Sequence, residues 1–244
     1  RVRPAGATRM KLSIVLPCYN EARTLPALLA RYRAVWRDLP AELILVDNGS
    51  TDDTPATLAR ELARPEHAFA RSVRVARNRG YGHGIATGLR AARGEFLAFS
   101  HADMQCDAAD VFAAYDRLSA EADPRRAIVK GKRAPRGFAA SLITTGMSAI
   151  ASAVLLRRLT DINAQPKVFH RSHLDRLARP PDGFAFDLYV LYIAARAGLR
   201  VVTVPVRFER RLHGQSRWNV GIVSRYRTIL RTVGFIWKLR LGRA

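Results

Sequence analysis

Residues Glu95–Gln105 read EFLAFSHADMQ. The short apolar run Phe96, Leu97, Ala98, Phe99 has the length and composition of a buried strand. It empties directly into His101, Asp103 and Gln105, which alternate and would share one face of an extended segment. A carboxylate flanked by an imidazole and an amide carbonyl could hold a divalent cation beside a phosphate. On its own the triplet is explained more simply as a polar strand end that satisfies loop hydrogen bonds. The flanking sequence changes that balance.

Upstream, strand and helix alternate. KLSIVLPCYNE (Lys11 to Glu21) is an apolar strand ending in Pro17 and a polar turn. Thr24 and Pro26 then open an apolar-periodic helix through Leu28, Leu29, Tyr32 and Trp36. A second strand, Leu43 to Val46, ends at Asp47, and the Asn48-Gly49-Ser50 turn leads to a helix capped near Asp53 or Thr54. SVRVARNRGYGHG supplies a third strand and a glycine-rich loop, and ATGLRAARG a helix closed by Gly94. This spacing predicts βαβ units, hence a mostly parallel sheet in an α/β, three-layer αβα sandwich. Such sheets bind ligands at the carboxyl ends of their strands. The Pro17–Glu21 turn, Asp47, the Arg77–Gly84 loop and the His101–Gln105 segment all fall on that rim.

The second half is less regular. ADVFAAYDRL reads as a helix, RAIVKGKRAPRG as a strand with a basic loop, Lys167–Phe169 as a short strand, and FAFDLYVLYIAARAGL as an apolar helix. Pro205 in RVVTVPVRFERR argues for an edge strand. Phe138 to Leu156 carries no charge, but Ala, Ser, Thr and Gly dilute it. It is expected to lie against protein or a membrane surface rather than across a bilayer, which needs about 20 predominantly apolar residues.

With 244 residues, 48% apolar and 25% charged, the chain can bury a full core. The net charge of +21 favours polyanionic partners: nucleic acid, anionic lipid or phosphorylated substrates. Two cysteines, Cys18 and Cys106, form no framework or zinc spacing, so a reducing, cytoplasmic compartment is expected. Residues 1–10 read as a disordered basic tail without an apolar signal segment. After Trp218, Ile222, Val223, Tyr226, Ile229, Leu230, Val233, Ile236 and Trp237 share one helical stripe flanked by Arg227, Arg231 and Lys238. Residues 219–244 therefore form either a helix docked on the core or an amphipathic helix on an anionic membrane surface.

The motifs PCYNE, VDNGSTDDT, RNRGYGHG, HADMQ, VKGKR, DINAQPKVF, FAFDL and RxxGxS (Arg211 to Ser216) occur in an order that resembles the family-2 glycosyltransferases of the GT-A fold. The resemblance is to their polyprenyl-phosphate, dolichol-phosphate mannose synthase-like branch, and it covers about four-fifths of the chain. It implies a catalytic domain over residues 11–218, a UDP- or GDP-sugar donor and a polyprenyl phosphate acceptor. Pro17, Tyr19, Glu21 and Asp47 would contact the base and ribose. Asn78, Gly80 and Ala102 would line the donor, with Gly80, Gly82 and Gly84 letting the backbone approach the nucleotide. Asp103 would be the main ligand of a magnesium or manganese ion that neutralises the departing diphosphate, with Gln105 and His101 beside it. Lys130, Arg133 and Ser216 would receive the acceptor phosphate, and Arg211 and Arg217 would close over phosphates. Asp187 is the general base if the acceptor is a hydroxyl, and otherwise orients an arginine.

Two departures from the pattern stand out. His101 replaces the usual first Asp of its motif, and imidazole suits manganese better than magnesium. It can instead donate a hydrogen bond to ribose or phosphate. Tyr189 occupies a position where the family often has Glu, which removes one base candidate. A nucleic-acid-binding protein would interleave basic and aromatic residues on one face; here the charge is dispersed and the ordered motifs are acidic or glycine-rich, so no nucleic acid partner is expected. A nucleotidyltransferase would want a Gly/Lys-rich loop where PCYNEAR stands. Peripheral attachment to the cytoplasmic face of a membrane is the consistent placement, and the pattern fixes no oligomeric state.

Overall fold

A computed structural model describes residues 10–134, 138–208 and 222–243. Seven strands form one sheet in the order β3-β2-β1-β4-β6-β5-β7. The first four are parallel: β1 (Leu12–Cys18) lies between β2 (Ala41–Asn48) and β4 (Phe96–Phe99), with β3 (Ala70–Val75) outside β2. Their carboxyl ends share one rim, so Asp47 and Asp103 lie on the same side of the molecule, separated by the width of β1. β6 (Lys167–His170) runs antiparallel between β4 and β5 (Ala127–Arg133), and β7 (Arg200–Val206) closes the edge. Pro205 is on that edge strand, where a missing N–H costs no ladder bond.

Helices cover both faces. α1 (Leu25–Val35), α2 (Thr54–Leu62) and α4 (Ala108–Ser119) contribute Leu25, Leu29, Leu58, Val111 and Phe112 to one core against Ile14, Leu43 and Val129. On the other face, α3 (Tyr81–Ala91), α5 (Phe138–Leu155), α6 (Phe186–Arg196) and α7 (Ile222–Arg240) pack over Val15, Val46, Phe99 and Phe169. The expected three-layer arrangement follows from strands that are apolar on both sides. Thr24 and Asp53 precede their helices without capping by side chain. Thr24 instead donates to Glu21 Oε2 at 2.9 Å.

No described helix is long and apolar enough to cross a membrane. α5 buries Ala151 and Leu155 while Ile150 and, just past the helix end, Leu156 are exposed. α7 docks through Ile236 and Leu239, and Phe235 meets Tyr189 edge-on at 6.3 Å. The stripe read from the sequence does not dock as one face. Leu230 and Trp237, expected on the same face as Ile236, are 67% and 52% exposed. With Leu241 they form a second apolar line at i, i+7 and i+11, which no described residue covers.

Buried His173 tests this packing. Its ring meets Phe169 edge-on at 5.3 Å, Nε2 lies 3.4 Å from Val190 O, and Nδ1 has no partner. Burial pushes its pKa down to about 4, from 6.5 when exposed. Folding therefore holds the neutral ring, and stability drops as pH falls from 6.5 towards 4, by up to about 3 kcal/mol from this residue. The urea midpoint of His173→Gln should fall less over that interval than the wild type's. Equal pH slopes would contradict the assignment.

Candidate active site

The rim is built from three loops and one helix end. After β4 the chain does not stay extended. Residues 102–104 bend and Met104 has φ +63°, so His101, Asp103 and Gln105 do not share a face by strand alternation as the sequence suggested. The bend instead folds Asp103 back, and its Oδ1 accepts the Gln105 N–H at 3.1 Å. Asp103 is buried and thereby held in one orientation. The His101 ring stacks on Tyr81, with centroids 5.6 Å apart, and Tyr81 stacks in turn on Phe184 at 5.5 Å. Among the described residues no three His, Cys, Asp or Glu side chains converge as a complete metal cage.

On the donor side, Asp47 is buried and its Oδ1 accepts the Ser50 N–H at 3.0 Å, forming the turn of the Asn-Gly-Ser motif. Its Oδ2 is 3.8 Å from Arg74 Nε. Asn20 is tied across to Thr51 and Ser50, which clamps the PCYNE turn to the second loop. Tyr19, Pro17 and Asn78 are half-buried at this rim, and Ala102 is buried.

The glycine-rich loop needs a different physical reason from the one the sequence implied. A Cβ on Gly80 (φ +134°) would stand 2.4 Å from Asp182 O, and one on Gly82 only 2.2 Å from Pro181 O. What approaches closely is the protein's own 181–183 backbone. His83 N donates to Asp182 O at 3.0 Å, Arg79 pairs with Asp182 at 2.9 Å, and Asn48 Nδ2 donates to Gly80 O at 2.9 Å. The N-terminus of α3 is thus locked to the loop before α6, with Phe184 projecting from it.

The acceptor side holds a charge cluster that the sequence revealed only in part. Registers place Phe99, Lys167, Lys130 and Thr203 side by side across β4, β6, β5 and β7. Lys167 and Lys130 are 0% and 1% exposed. Like charges directly opposite on neighbouring strands repel. Asp187, at the start of α6, answers Lys167 with a short buried ion pair and accepts from Gln165 Nε2 at 2.7 Å. Gln165 also reaches Tyr81 Oη at 3.1 Å. From the sequence, Asp187 is a general base for a hydroxyl acceptor or else the partner of an arginine; the cation it meets is Lys167, because β6 runs antiparallel and brings that lysine under the helix end. Lys167 went unassigned in the sequence, where it reads only as the first residue of a short strand.

Lys130 donates to two backbone carbonyls, Gly131 O at 3.0 Å and Asp161 O at 3.1 Å. Burial and the neighbouring Lys167 pull its pKa down to about 8. Arg133 is committed to Asp161 through Nε at 2.8 Å and its backbone N at 2.9 Å, and through Nη2. Its Nη1 lies outside that pair. Arg211, Ser216 and Arg217 lie outside the described residues. The chain just before them returns to the site, since Phe208 bridges Cys106 next to the Asp103 bend.

Removing one partner of a buried ion pair strands the other. Asp187→Ala should therefore destabilise the protein by about 3–5 kcal/mol at neutral pH, measured by urea unfolding. The double variant Lys167→Met/Asp187→Leu should recover most of that loss. Equal losses in both would show that the pair does not govern stability here.

Residues 13–173 match the family model described as glycosyl transferase family 2. The chain is 33% identical over 213 residues to an uncharacterized glycosyltransferase of Mycobacterium tuberculosis, covering 84% of this chain and 88% of the relative. It is 28% identical over 225 residues to a dolichyl-phosphate beta-glucosyltransferase of Drosophila melanogaster, covering 82% of this chain and 67% of that protein. Its structure superposes with TM-score 0.60 and 27% identity on a mannosyltransferase from Pyrobaculum calidifontis in complex with GDP-Man and Mn2+, over 84% of this chain and 57% of that one. Taken with the seven-stranded sheet and its acidic rim, these matches make the chain a glycosyltransferase and a member of glycosyl transferase family 2.

Proposed function

We propose that this glycosyltransferase moves a sugar from a nucleoside-diphosphate sugar to a polyprenyl phosphate by single displacement with inversion. The observation that carries this reading is the buried charge cluster. Among the described residues, Lys130, Lys167 and Arg133 face Asp161 and Asp187, one negative charge short of balance. A phosphate monoester supplies the missing charge, and it needs no base because it is already anionic at neutral pH. A hydroxyl acceptor would need one, and the Asp187 carboxylate is already engaged by Lys167 and Gln165. The relative that acts on dolichyl phosphate supports the same acceptor class.

The donor would lie over Asp47, the clamped PCYNE turn and the Asp103 bend, with residues 11–218 as the catalytic unit. The donor set fits a hard cation that arrives with its diphosphate. Asp103 offers one oriented carboxylate and Gln105 an amide, and phosphate oxygens complete the shell as is usual for Mg2+. Bound there, Mg2+ or Mn2+ would offset the charge that develops on the leaving diphosphate. The stack on Tyr81 favours a ring-packing and hydrogen-bonding role for His101 over direct ligation. The Mn2+ in the Pyrobaculum neighbour supports the cofactor.

Attachment to an anionic membrane surface from the cytoplasmic side fits the exposed line of Leu230, Trp237 and Leu241, bordered by Arg231, Lys238, Arg240 and Arg243. UDP- and GDP-hexoses tested against undecaprenyl phosphate, with and without Mn2+, examine the proposal as a whole. Sugar should appear on the lipid only with the ion, and Asp103→Asn should lower turnover at least about 100-fold. Transfer to a glycan hydroxyl with none to the lipid phosphate would overturn the acceptor assignment.

A further inference from the structure

The lateral row that carries Lys167 and Lys130 does not end in packed core. Its next member, Thr203, is exposed on the edge strand, as is Val201 two residues earlier on the same face. Leu191 and Ala195 of α6 face this part of the sheet without filling the space over it. Between them lies a cavity of about 450 Å³, within the range of about 300–1,000 Å³ that takes organic ligands. Lys130 and Thr203 line it from the sheet, Leu191 and Leu199 from α6 and the turn after it, and Leu159 and Arg158 from the loop that precedes Asp161. The wall is amphiphilic. Leucines make up one part, and a buried ammonium and a guanidinium stand at the other.

This cavity meets the charge cluster at Lys130, which lines it together with Thr160, the residue before Asp161. That residue's carboxylate holds Arg133 and its carbonyl holds the Lys130 ammonium. A ligand that places an anion against Lys130 therefore has Leu159, Leu191 and Leu199 leading away from it under the edge of α6. Both hydrogen bonds made by Lys130 are to backbone carbonyls, and neither is to a carboxylate. Lys130 also sits opposite a second buried lysine, and a row of two adjacent ammoniums is a local conflict of the kind retained at functional sites.

We infer that this cavity seats the head-proximal isoprene units of a prenyl phosphate, with its phosphate held by Lys130 next to Arg133. The inference rests on the phosphate-acceptor reading above and adds where the chain runs. An acyl phosphate or other amphiphilic monoester shares the head chemistry, and the branched side chains of Leu159, Leu191 and Leu199 supply the apolar part of the wall. Nucleotide binding is spatially separate, at the Asp47 and Asp103 loops, and should be indifferent to changes at Thr203.

Isothermal titration of the full chain with farnesyl phosphate, methyl phosphate and a Mn2+-loaded nucleoside diphosphate tests this. Thr203→Trp, on the exposed edge strand, fills the cavity from outside, and Val201→Trp does so one pleat away. Thermal melts by circular dichroism verify that each variant is folded. Farnesyl phosphate should bind at least about tenfold more weakly to the folded variants, with methyl phosphate and the nucleotide unchanged. Lys130→Met should weaken both monoesters. Unchanged farnesyl phosphate affinity in both tryptophan variants would overturn the cavity assignment while leaving the transferase reading intact. A wild-type chain that neither binds farnesyl phosphate nor glycosylates a polyprenyl phosphate would overturn the reading beneath it.

Discussion

Two lysines buried side by side on neighbouring strands constrain everything around them. Each would escape to solvent if the sheet register allowed it, since taking an ammonium out of water costs several kcal/mol. Antiparallel β6 forbids this by placing Lys167 against Lys130 on one flank and Phe99 on the other, with its Nζ 5.3 Å from the Phe99 ring centre. The start of α6 must then deliver Asp187 to that spot. Gln165 must reach Asp187, Tyr81 must reach Gln165, and the α3 terminus must close on the 181–183 backbone without a Cβ at Gly80 or Gly82. One local charge conflict thus dictates the packing of two helices and a loop, and the same chain of contacts ends at His101, beside the Asp103 bend.

The parallel half was legible in the sequence because it obeys local rules. Continuous apolar runs ending in Pro17, Asp47 and Phe99 mark strands buried on both faces, and each is followed by turn chemistry and a helix. That pattern sufficed to gather the acidic residues on one rim. Pro205 announced the edge strand for an equally local reason.

What escaped the sequence was what depends on tertiary pairing. Lys167 looks like any strand lysine until β6 is known to run antiparallel between two buried neighbours. The glycines of RNRGYGHG carry no mark of which atoms come near, and the protein's own 181–183 backbone stands against Gly80 and Gly82. Alternation of His101, Asp103 and Gln105 presupposed an extended backbone, which Met104 at φ +63° breaks. The stripe on α7 was visible, but which part of it docks depended on where α5 lies. The helix uses Ile236 and Leu239 for that contact, leaving Leu230 and Trp237 outward.

The account stands on a diphosphate-bound cation and an acceptor phosphate meeting in one cleft, about two strand spacings apart, or about 10 Å. Phosphorus relaxation in the presence of Mn2+, a nucleoside diphosphate and a short prenyl phosphate measures that separation directly. The account predicts strong paramagnetic relaxation of the prenyl phosphorus, abolished by Asp103→Asn. A prenyl phosphorus that binds yet relaxes as it does with Mg2+ in place of Mn2+ would contradict it.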